Sequence, residues 1–174
     1  IEDRRAAIAQ AVIEASPQRV TPGCEHFGIC GGCSLQHLAP EAQRGVKDNM
    51  LRESLRRIGK VEPERWLAPL HGEPWAYRRR ARLGARFVHA KGRSLVGFRE
   101  KNGKYVADMR HCEILTPKIA SLLPLLGELN ESFTIRDALP QIEVAVGEHV
   151  DVLVLRILQA LSPADEVAIK QFAD

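Results

Sequence analysis

Residues 77–88 read YRRRARLGARFV, and this stretch decides the fold. Small and apolar residues alternate here with arginines, and a period of two is typical of a strand with one buried face. The side expected to face the core carries Ala81, Leu83, Ala85 and Phe87. The opposite side carries Arg78, Arg80, Arg82 and Arg86. The stretch therefore predicts a long strand with a core face and an arginine-lined face.

The segments that follow predict an antiparallel sheet around this strand. SLVGFRE, residues 94–100, is a suitable hairpin partner, and Asn102-Gly103 is a two-residue turn signal leading to a third strand over Tyr105–Met109. Gln141–Val146 and Asp151–Leu158 predict a second hairpin, and DVLVLRIL in its second arm is apolar enough for a central strand.

Three helices are predicted beside the sheet. Pro40–Ile58 has a proline suited to the first helical position and an apolar stripe at helical spacing. Thr116 is the candidate cap of a second helix, and Ser162–Asp165 (SPAD) has the pattern of a capped helix start. Together the segments predict an α+β fold with a mainly antiparallel sheet and flanking helices.

The four cysteines follow one spacing pattern. CEHFGICGGC contains Cys24, Cys30 and Cys33, and Cys112 follows after 78 intervening residues. Because Cys112 comes three residues after the predicted third strand, the sheet can hold the fourth thiol against the loop formed by the first three. We therefore expect a four-cysteine loop at the edge of the sheet.

The composition favours a metal site over disulfides. No apolar run approaches the ~18 residues of a membrane span, and residues 1–15 lack the separate apolar segment typical of a signal peptide. We therefore expect a cytoplasmic protein that contacts no membrane. Thiols stay reduced in that compartment, where clustered cysteines more often bind metal.

Four thiolates can hold either zinc or an iron–sulfur cluster. Structural zinc sites usually use two closely spaced ligand pairs, whereas here only Cys30 and Cys33 form such a pair. The spacing favours the larger cluster, and Gly31 and Gly32 can bring backbone N–H groups close to its sulfides. A zinc ion and unliganded or disulfide-linked thiols remain alternatives. His26 and His37 are interpreted as loop or packing residues.

The positive charge is concentrated in one segment. Arg78–Arg110 contains 11 Lys or Arg against two acidic residues, a local charge of +9 in a chain of net charge +3. A row of like charges on one strand face favours a polyanion, and arginine both pairs with phosphate and stacks on bases. A solvated basic face, or pairing with acids elsewhere, is the alternative. The candidate RNA-contacting residues are Tyr77, Arg78, Arg80, Arg82, Arg86 and Arg99.

Motifs for chemistry on a substrate are missing. The sequence has no P-loop, no G-x-G-x-x-G and no H-E-x-x-H. The predicted metal site uses every cysteine, which leaves no thiol for a nucleophile. We therefore expect no catalytic residue and no nucleotide-like cofactor site in this chain.

Six motifs occur in an order that resembles one enzyme family. They are CEHFGICGGCSLQHL, WAYRRRARL, VGFRE, VADMRHCEIL, LVLRIL and SPAD. In this order they are similar to the bacterial 23S ribosomal RNA uracil-5 methyltransferases of the iron–sulfur type, from about residue 21 to the end. The first motif is the most specific.

The resemblance implies a domain organisation. The family has an RNA-binding barrel, a central domain with a 4Fe–4S cluster and a Rossmann-like methyltransferase domain. Residues 1–20 would be the linker and remnant of the barrel, and residues 21–35 and 68–174 the central domain. Residues 36–67 would be a helical excursion that packs on the methyltransferase domain.

The resemblance also implies an activity for the parent enzyme. Such enzymes transfer a methyl group from S-adenosylmethionine to C5 of a uridine in 23S rRNA, and their cluster cysteines match Cys24, Cys30, Cys33 and Cys112. The cofactor domain and catalytic cysteine have no counterpart here, so we expect an inactive, monomeric central part of the enzyme. A zinc-stapled RNA-binding domain and a ferredoxin-like electron carrier are the alternatives.

Overall fold

The computed structural model describes residues 11–173. The chain divides into two compact units, one of Ile1–Pro22 with Leu35–Glu64 and the other of Gly23–Ser34 with Arg65–Asp174. Half of the predicted linker over residues 1–20 thus lies outside the described residues. No helix in the described range is both long and apolar enough to cross a membrane.

The first unit is built on one helix. Helix α1 spans Pro40–Ser54 and begins with proline, whose fixed φ suits a first helical turn. A π-helical turn over Leu55–Gly59 extends it, and Lys60 ends it in the left-handed conformation. The apolar stripe of α1 is largely uncovered, since only Ala42 is buried. Its more exposed members are Met50, Leu51 and Ile58.

The second unit is a four-stranded sheet with two helices. The strands are β1 (Arg80–Val88), β2 (Arg93–Gly97), β3 (Gln141–Val146) and β4 (Asp151–Arg156), and the helices are α2 (Pro117–Ser132) and α3 (Pro163–Ala173). The strand order is β2-β1-β3-β4, and every neighbouring pair is antiparallel. The predicted α+β fold with an antiparallel sheet is confirmed.

The core lies between one face of the sheet and helix α2. The alternation predicted for β1 is confirmed, because its apolar side chains are buried or half-buried while Arg80, Arg82 and Arg86 are exposed. Strand β3 adds Ile142 and Val144 to the same buried face. Helix α2 covers this face with Ile119, Ala120, Leu123, Leu126 and Leu129.

A chain segment also crosses the outer face of the sheet. Gly84 and Gly97 are directly paired across β1 and β2. A Cβ atom on Gly84 would lie 2.8 Å from Val106, and one on Gly97 would lie 2.6 Å from Met109. The two glycines therefore allow residues 106–109 to pack directly on the backbone of the sheet.

Two local predictions were wrong, and a third is confirmed in position only. Tyr105–Met109 forms only an isolated bridge, between Val106 and Arg99, because it crosses the sheet face instead of extending the sheet. Strand β4 lies at the sheet edge, where alternate residues face solvent, and is not central. Thr116 occupies the predicted N-cap position of helix α2, but its side chain makes no capping bond and its hydroxyl oxygen is buried without a partner among the described residues.

The predicted cap of helix α3 is confirmed as a reciprocal capping box. The backbone N–H of Ser162 donates to the carboxylate of Asp165 (2.8 Å), and the N–H of Asp165 donates to the hydroxyl oxygen of Ser162 (3.2 Å). Thr134 adds two bonds of 2.7 Å, from its N–H and its hydroxyl, to the same carboxylate. Burial opposes ionisation, but these hydrogen bonds outweigh it and lower the pKa of Asp165 to about 2.

We predict that Asp165→Asn destabilises the chain at neutral pH. A carboxyl whose pKa is lower in the folded than in the unfolded state stabilises the fold above its unfolded pKa, and this contribution disappears as pH falls towards 2. Urea unfolding of both proteins at pH 7 and at pH 2.5 measures the difference, which should be large at pH 7 and small at pH 2.5. Glu166→Gln, at the exposed neighbouring position, is the control. An equal difference at both pH values would contradict the prediction.

Candidate metal centre and basic sheet face

The loop that carries the first three cysteines is held by short local hydrogen bonds. The N–H of Phe27 donates to the carbonyl of Cys24 (3.1 Å), and the N–H of Cys30 donates to the carbonyl of His26 (2.9 Å). Gly28 has a φ of 95°, which favours glycine. The loop forms turns and isolated bridges without a helix or strand of its own, so it needs an external support.

That support is the segment that continues from strand β2. The N–H of Gly31 donates to the carbonyl of Arg99, and the N–H of Lys101 donates to the carbonyl of Ile29, each at 2.8 Å. Cys30 forms an antiparallel bridge with Glu100 between these two bonds. The loop is therefore attached by one antiparallel bridge and its two hydrogen bonds to the segment that follows β2.

Two glycines lie where the loop meets its support. A Cβ atom on Gly31 would lie 3.0 Å from the carbonyl oxygen of Arg99, and one on Gly32 would lie 3.1 Å from the ring of Phe98. The N–H of Gly32 points at the sulfur of Cys30, 3.3 Å away. This close approach turns a backbone donor towards the thiol, an arrangement that stabilises a metal-bound thiolate.

The fourth cysteine lies in the core of the same unit. Cys112 is 6% exposed and Cys30 is 8% exposed, and both belong to the buried cluster of the sheet. Cys33 packs against that cluster. None of the four cysteines forms a disulfide.

The thiols influence each other electrostatically. Burial raises the pKa of Cys30, and the neighbouring Cys33 and Cys24 raise it further. Burial also raises the pKa of Cys112, with a further contribution from Cys24 and Cys30, while the N–H groups of Ile114 and Leu115 lower it. The distant Cys112 thus lies within electrostatic range of the loop.

The donor set can be tested against the two predicted kinds of metal site. Among residues 11–173 no three His, Cys, Asp or Glu side chains are close enough together to hold a single metal ion. A single zinc ion with Zn–S bonds of about 2.3 Å needs its thiolates within about 4 Å of each other. A four-iron cluster separates its ligands more widely and is bound by thiolates alone. The donor set is made of thiols alone, which is the chemistry of an iron–sulfur site, and the N–H of Gly32 faces one of them. The N–H of Gly31, which was also predicted to face the sulfides, donates instead to the carbonyl of Arg99.

The basic face lies on the outer side of the sheet. Arg80 and Arg86 are exposed, and neither makes an ion pair with any residue that the structure describes. Arg82 lies 3.7 Å from Glu143, a contact that is weak at such exposure. Val106 lies over Gly84 and interrupts the arginine row. It separates Arg86 from Arg80 and Arg82.

The other predicted RNA contacts lie elsewhere. Tyr77 is exposed just before β1. Arg99 is exposed in the segment that supports the cysteine loop and bridges to Val106. Arg78 precedes the strand, is half-buried, and its guanidinium carbon lies 5.4 Å from the centre of the Phe98 ring. The structure therefore does not place Arg78 in the exposed row with Arg80.

Comparison with known proteins gives the same family repeatedly. The chain is 52% identical over 163 residues to the 23S rRNA uracil-C5 methyltransferase RlmD of Nitrosospira multiformis, which acts at U1939 by its name. It is 50% identical over 167 residues to RlmD of Aromatoleum aromaticum and 48% identical over 174 residues to that of Alkalilimnicola ehrlichii. The chain belongs to this family.

The matches cover most of the chain but a smaller part of each relative. They include 94%, 96% and 98% of this chain, which spans 37%, 39% and 39% of the length of the three relatives. No family model matches the chain. The predicted resemblance is confirmed at this level.

Strand β4 adds residues to the outer face that were not predicted from the sequence. Val152 and Val154 are 48% and 41% exposed, and Arg156 pairs with the carboxylate of Glu143 through two bonds of 3.0 and 2.9 Å. This pairing lowers the pKa of Glu143 and keeps it ionised within the arginine face. The alternation in DVLVLR contained the signal, because a period of two places Arg156 on the side of Val152 and Val154.

We predict that Gly31→Ala weakens the attachment of the cysteine loop. The added methyl group would lie 3.0 Å from the carbonyl oxygen of Arg99 and 3.3 Å from the Cα atom of Lys101, so the backbone that holds the loop would have to shift. Overpacking of this kind costs about 1–3 kcal/mol, measurable as a lower urea midpoint. Gly45→Ala is the control, since a Cβ atom there meets nothing and alanine favours a helix. A Gly31→Ala midpoint equal to that of the original chain would contradict the prediction.

Proposed function

We propose that the chain is the cluster-binding and RNA-binding part of an S-adenosylmethionine-dependent enzyme that methylates C5 of a uridine in 23S rRNA, in the cytoplasm. The proposal is supported by about 50% identity to RlmD proteins over nearly the whole chain. The observation that carries it is the joining of an all-thiol cage and an exposed arginine face in one unit. The methyl donor would bind outside the residues of this chain.

The proposed cluster ligands are Cys24, Cys30, Cys33 and Cys112. A 4Fe–4S cluster would offer one iron to each of the four thiolates and would thereby cross-link the segments that carry them. Cys30 and Cys33 lie on a loop with little structure of its own, and Cys112 lies at the end of the segment that crosses the sheet. These thiols would thus fix the loop and this segment in one arrangement, which in turn fixes the adjacent basic surface.

The proposed RNA surface is the outer face of β1, β3 and β4. Arg80, Arg82 and Arg86 offer guanidinium groups to phosphates, while exposed Val152 and Val154 offer apolar area to bases. Glu143 is already neutralised by Arg156, so it opposes an approaching phosphate only weakly. The remaining candidates, Tyr77 and Arg99, would extend this surface towards the cysteine loop.

The exposed apolar stripe along helix α1 and the π-helical turn after it supports a further part of the proposal. Met50 is 64% exposed and Ile58 is 83% exposed, unusual values for apolar residues at regular helical spacing. We assign this stripe to packing against the methyltransferase domain of the family. Residues 36–67 would thereby fasten the RNA-binding part to the part that carries out methyl transfer.

We predict that Cys112→Ser abolishes cluster binding. The chain purified without oxygen should contain about four irons and four acid-labile sulfides, and the variant should keep less than about a quarter of either. His111→Ala is the matched control, because His111 is exposed beside Cys112 and its ion-pair partner among residues 11–173 is Glu113, not a thiol. Zinc without sulfide in the original chain would favour a zinc-stapled domain, and full iron in Cys112→Ser would remove Cys112 from the site.

We predict that Arg80→Glu with Arg86→Glu weakens RNA binding at least tenfold. Each phosphate contact that is lost makes the plot of log affinity against log salt less steep by about 1. The magnitude of the slope should therefore decrease by about 2. The measurement is titration of the cluster-loaded chain with a 23S rRNA oligonucleotide containing U1939. Lys170→Glu, an exposed charge reversal on α3, is the control. An unchanged affinity and slope would exclude this face as the RNA surface.

A further inference from the structure

Arg78 differs from the neighbouring arginines in both its backbone and its side chain. Its N–H donates to the carbonyl of Ile114 (2.8 Å), and its carbonyl accepts from the N–H of Thr116 (3.2 Å). Arg78 also forms a parallel bridge with Leu115. The backbone of Arg78 is therefore held against residues 114–116, which follow Cys112 closely in the chain.

The side chain of Arg78 points to the other part of the thiol site. Its guanidinium carbon lies over the ring of Phe98, 5.4 Å from the centroid, which is a cation–π contact. The ring of Phe98 in turn lies against Gly32, between Cys30 and Cys33. Arg78 thus joins the segment after Cys112 to the loop that carries the other thiols.

The charge of Arg78 has no carboxylate partner. Within residues 11–173 the half-buried guanidinium forms no ion pair with Asp or Glu. A partly buried cation without a counter-anion is costly, so it calls for a negative group nearby.

We infer that Arg78 is the counter-cation of the thiolate cluster site, and that it sets the reduction potential of the bound cluster and does not contact RNA. The inference rests on the proposed cluster. A 4Fe–4S cluster with four thiolates carries a net negative charge, which becomes one unit more negative when an electron is added. A fixed positive charge nearby stabilises the reduced form more than the oxidised form.

The test is a redox titration of the cluster-loaded 174-residue chain, with dithionite as electron donor and redox mediators, followed by electron paramagnetic resonance. Arg78→Gln should make reduction about tenfold less favourable, which is about 59 mV lower for a one-electron couple. Arg78→Lys retains the charge and should stay within about threefold of the original chain. Arg80→Gln removes an exposed arginine two residues away and should leave the potential unchanged.

The outcomes separate this inference from the proposed function. An original chain without iron and sulfide refutes the cluster, and the inference with it. A loaded chain in which Arg78→Gln keeps the original potential, or in which Arg80→Gln shifts it equally, refutes the inference alone. If Arg78→Gln holds no cluster, Arg78→Lys decides: a loaded lysine variant near the original potential supports the charge role, and loss of its cluster overturns it. The RNA affinity of the cluster-loaded Arg78→Gln variant should stay within about twofold of the original chain. A tenfold loss would show that Arg78 contacts RNA and would refute that part of the inference.

Discussion

The pairing of the cysteine loop with residues 98–101 is the interaction on which the site depends. Two backbone hydrogen bonds, from Gly31 to Arg99 and from Lys101 to Ile29, attach a loop without a helix or strand of its own to the end of a sheet strand. Backbone bonds of this kind contribute only about 1 kcal/mol each in net terms. The loop therefore keeps its place only as part of a larger set of contacts, which a bound cluster would complete.

Residues 94–109 connect the two halves of the thiol site. Strand β2 leads into the segment that supports the loop, and the chain then returns across the paired Gly84 and Gly97 towards Cys112. The return is fixed by bonds from the N–H of Ala107 to the carbonyl of Phe98 and from the N–H of Glu100 to the carbonyl of Tyr105. Side chains at the two glycines would exclude this path.

Local patterns allowed much of the fold to be predicted, while tertiary contacts decided the rest. The alternation in β1, the second hairpin and the SPAD cap depend on near neighbours, and all three are found in the structure. The edge position of β4 depends on strand order, which its apolar composition could not reveal. The course of Tyr105–Met109 depends on glycines some 10 to 25 residues earlier in the chain, so its turn signal alone predicted an extra strand. Within the candidate site, spacing suggested the four thiols, but no period could show that Arg78 leaves the arginine row.

The two predicted chemistries share strand β1, and this has a physical consequence. Arg78, two residues before β1, is held by the segment after Cys112, whereas Arg80 and Arg82 within β1 face outward. A strand is stiff over so short a distance, so a shift of the thiol site moves the first arginines of the exposed row. Arg86 would move as well, because the segment that crosses the sheet at Gly84, between Arg82 and Arg86, leads on to Cys112. A cluster that only fixes geometry would therefore control how the basic face meets a phosphate backbone, without taking part in any reaction.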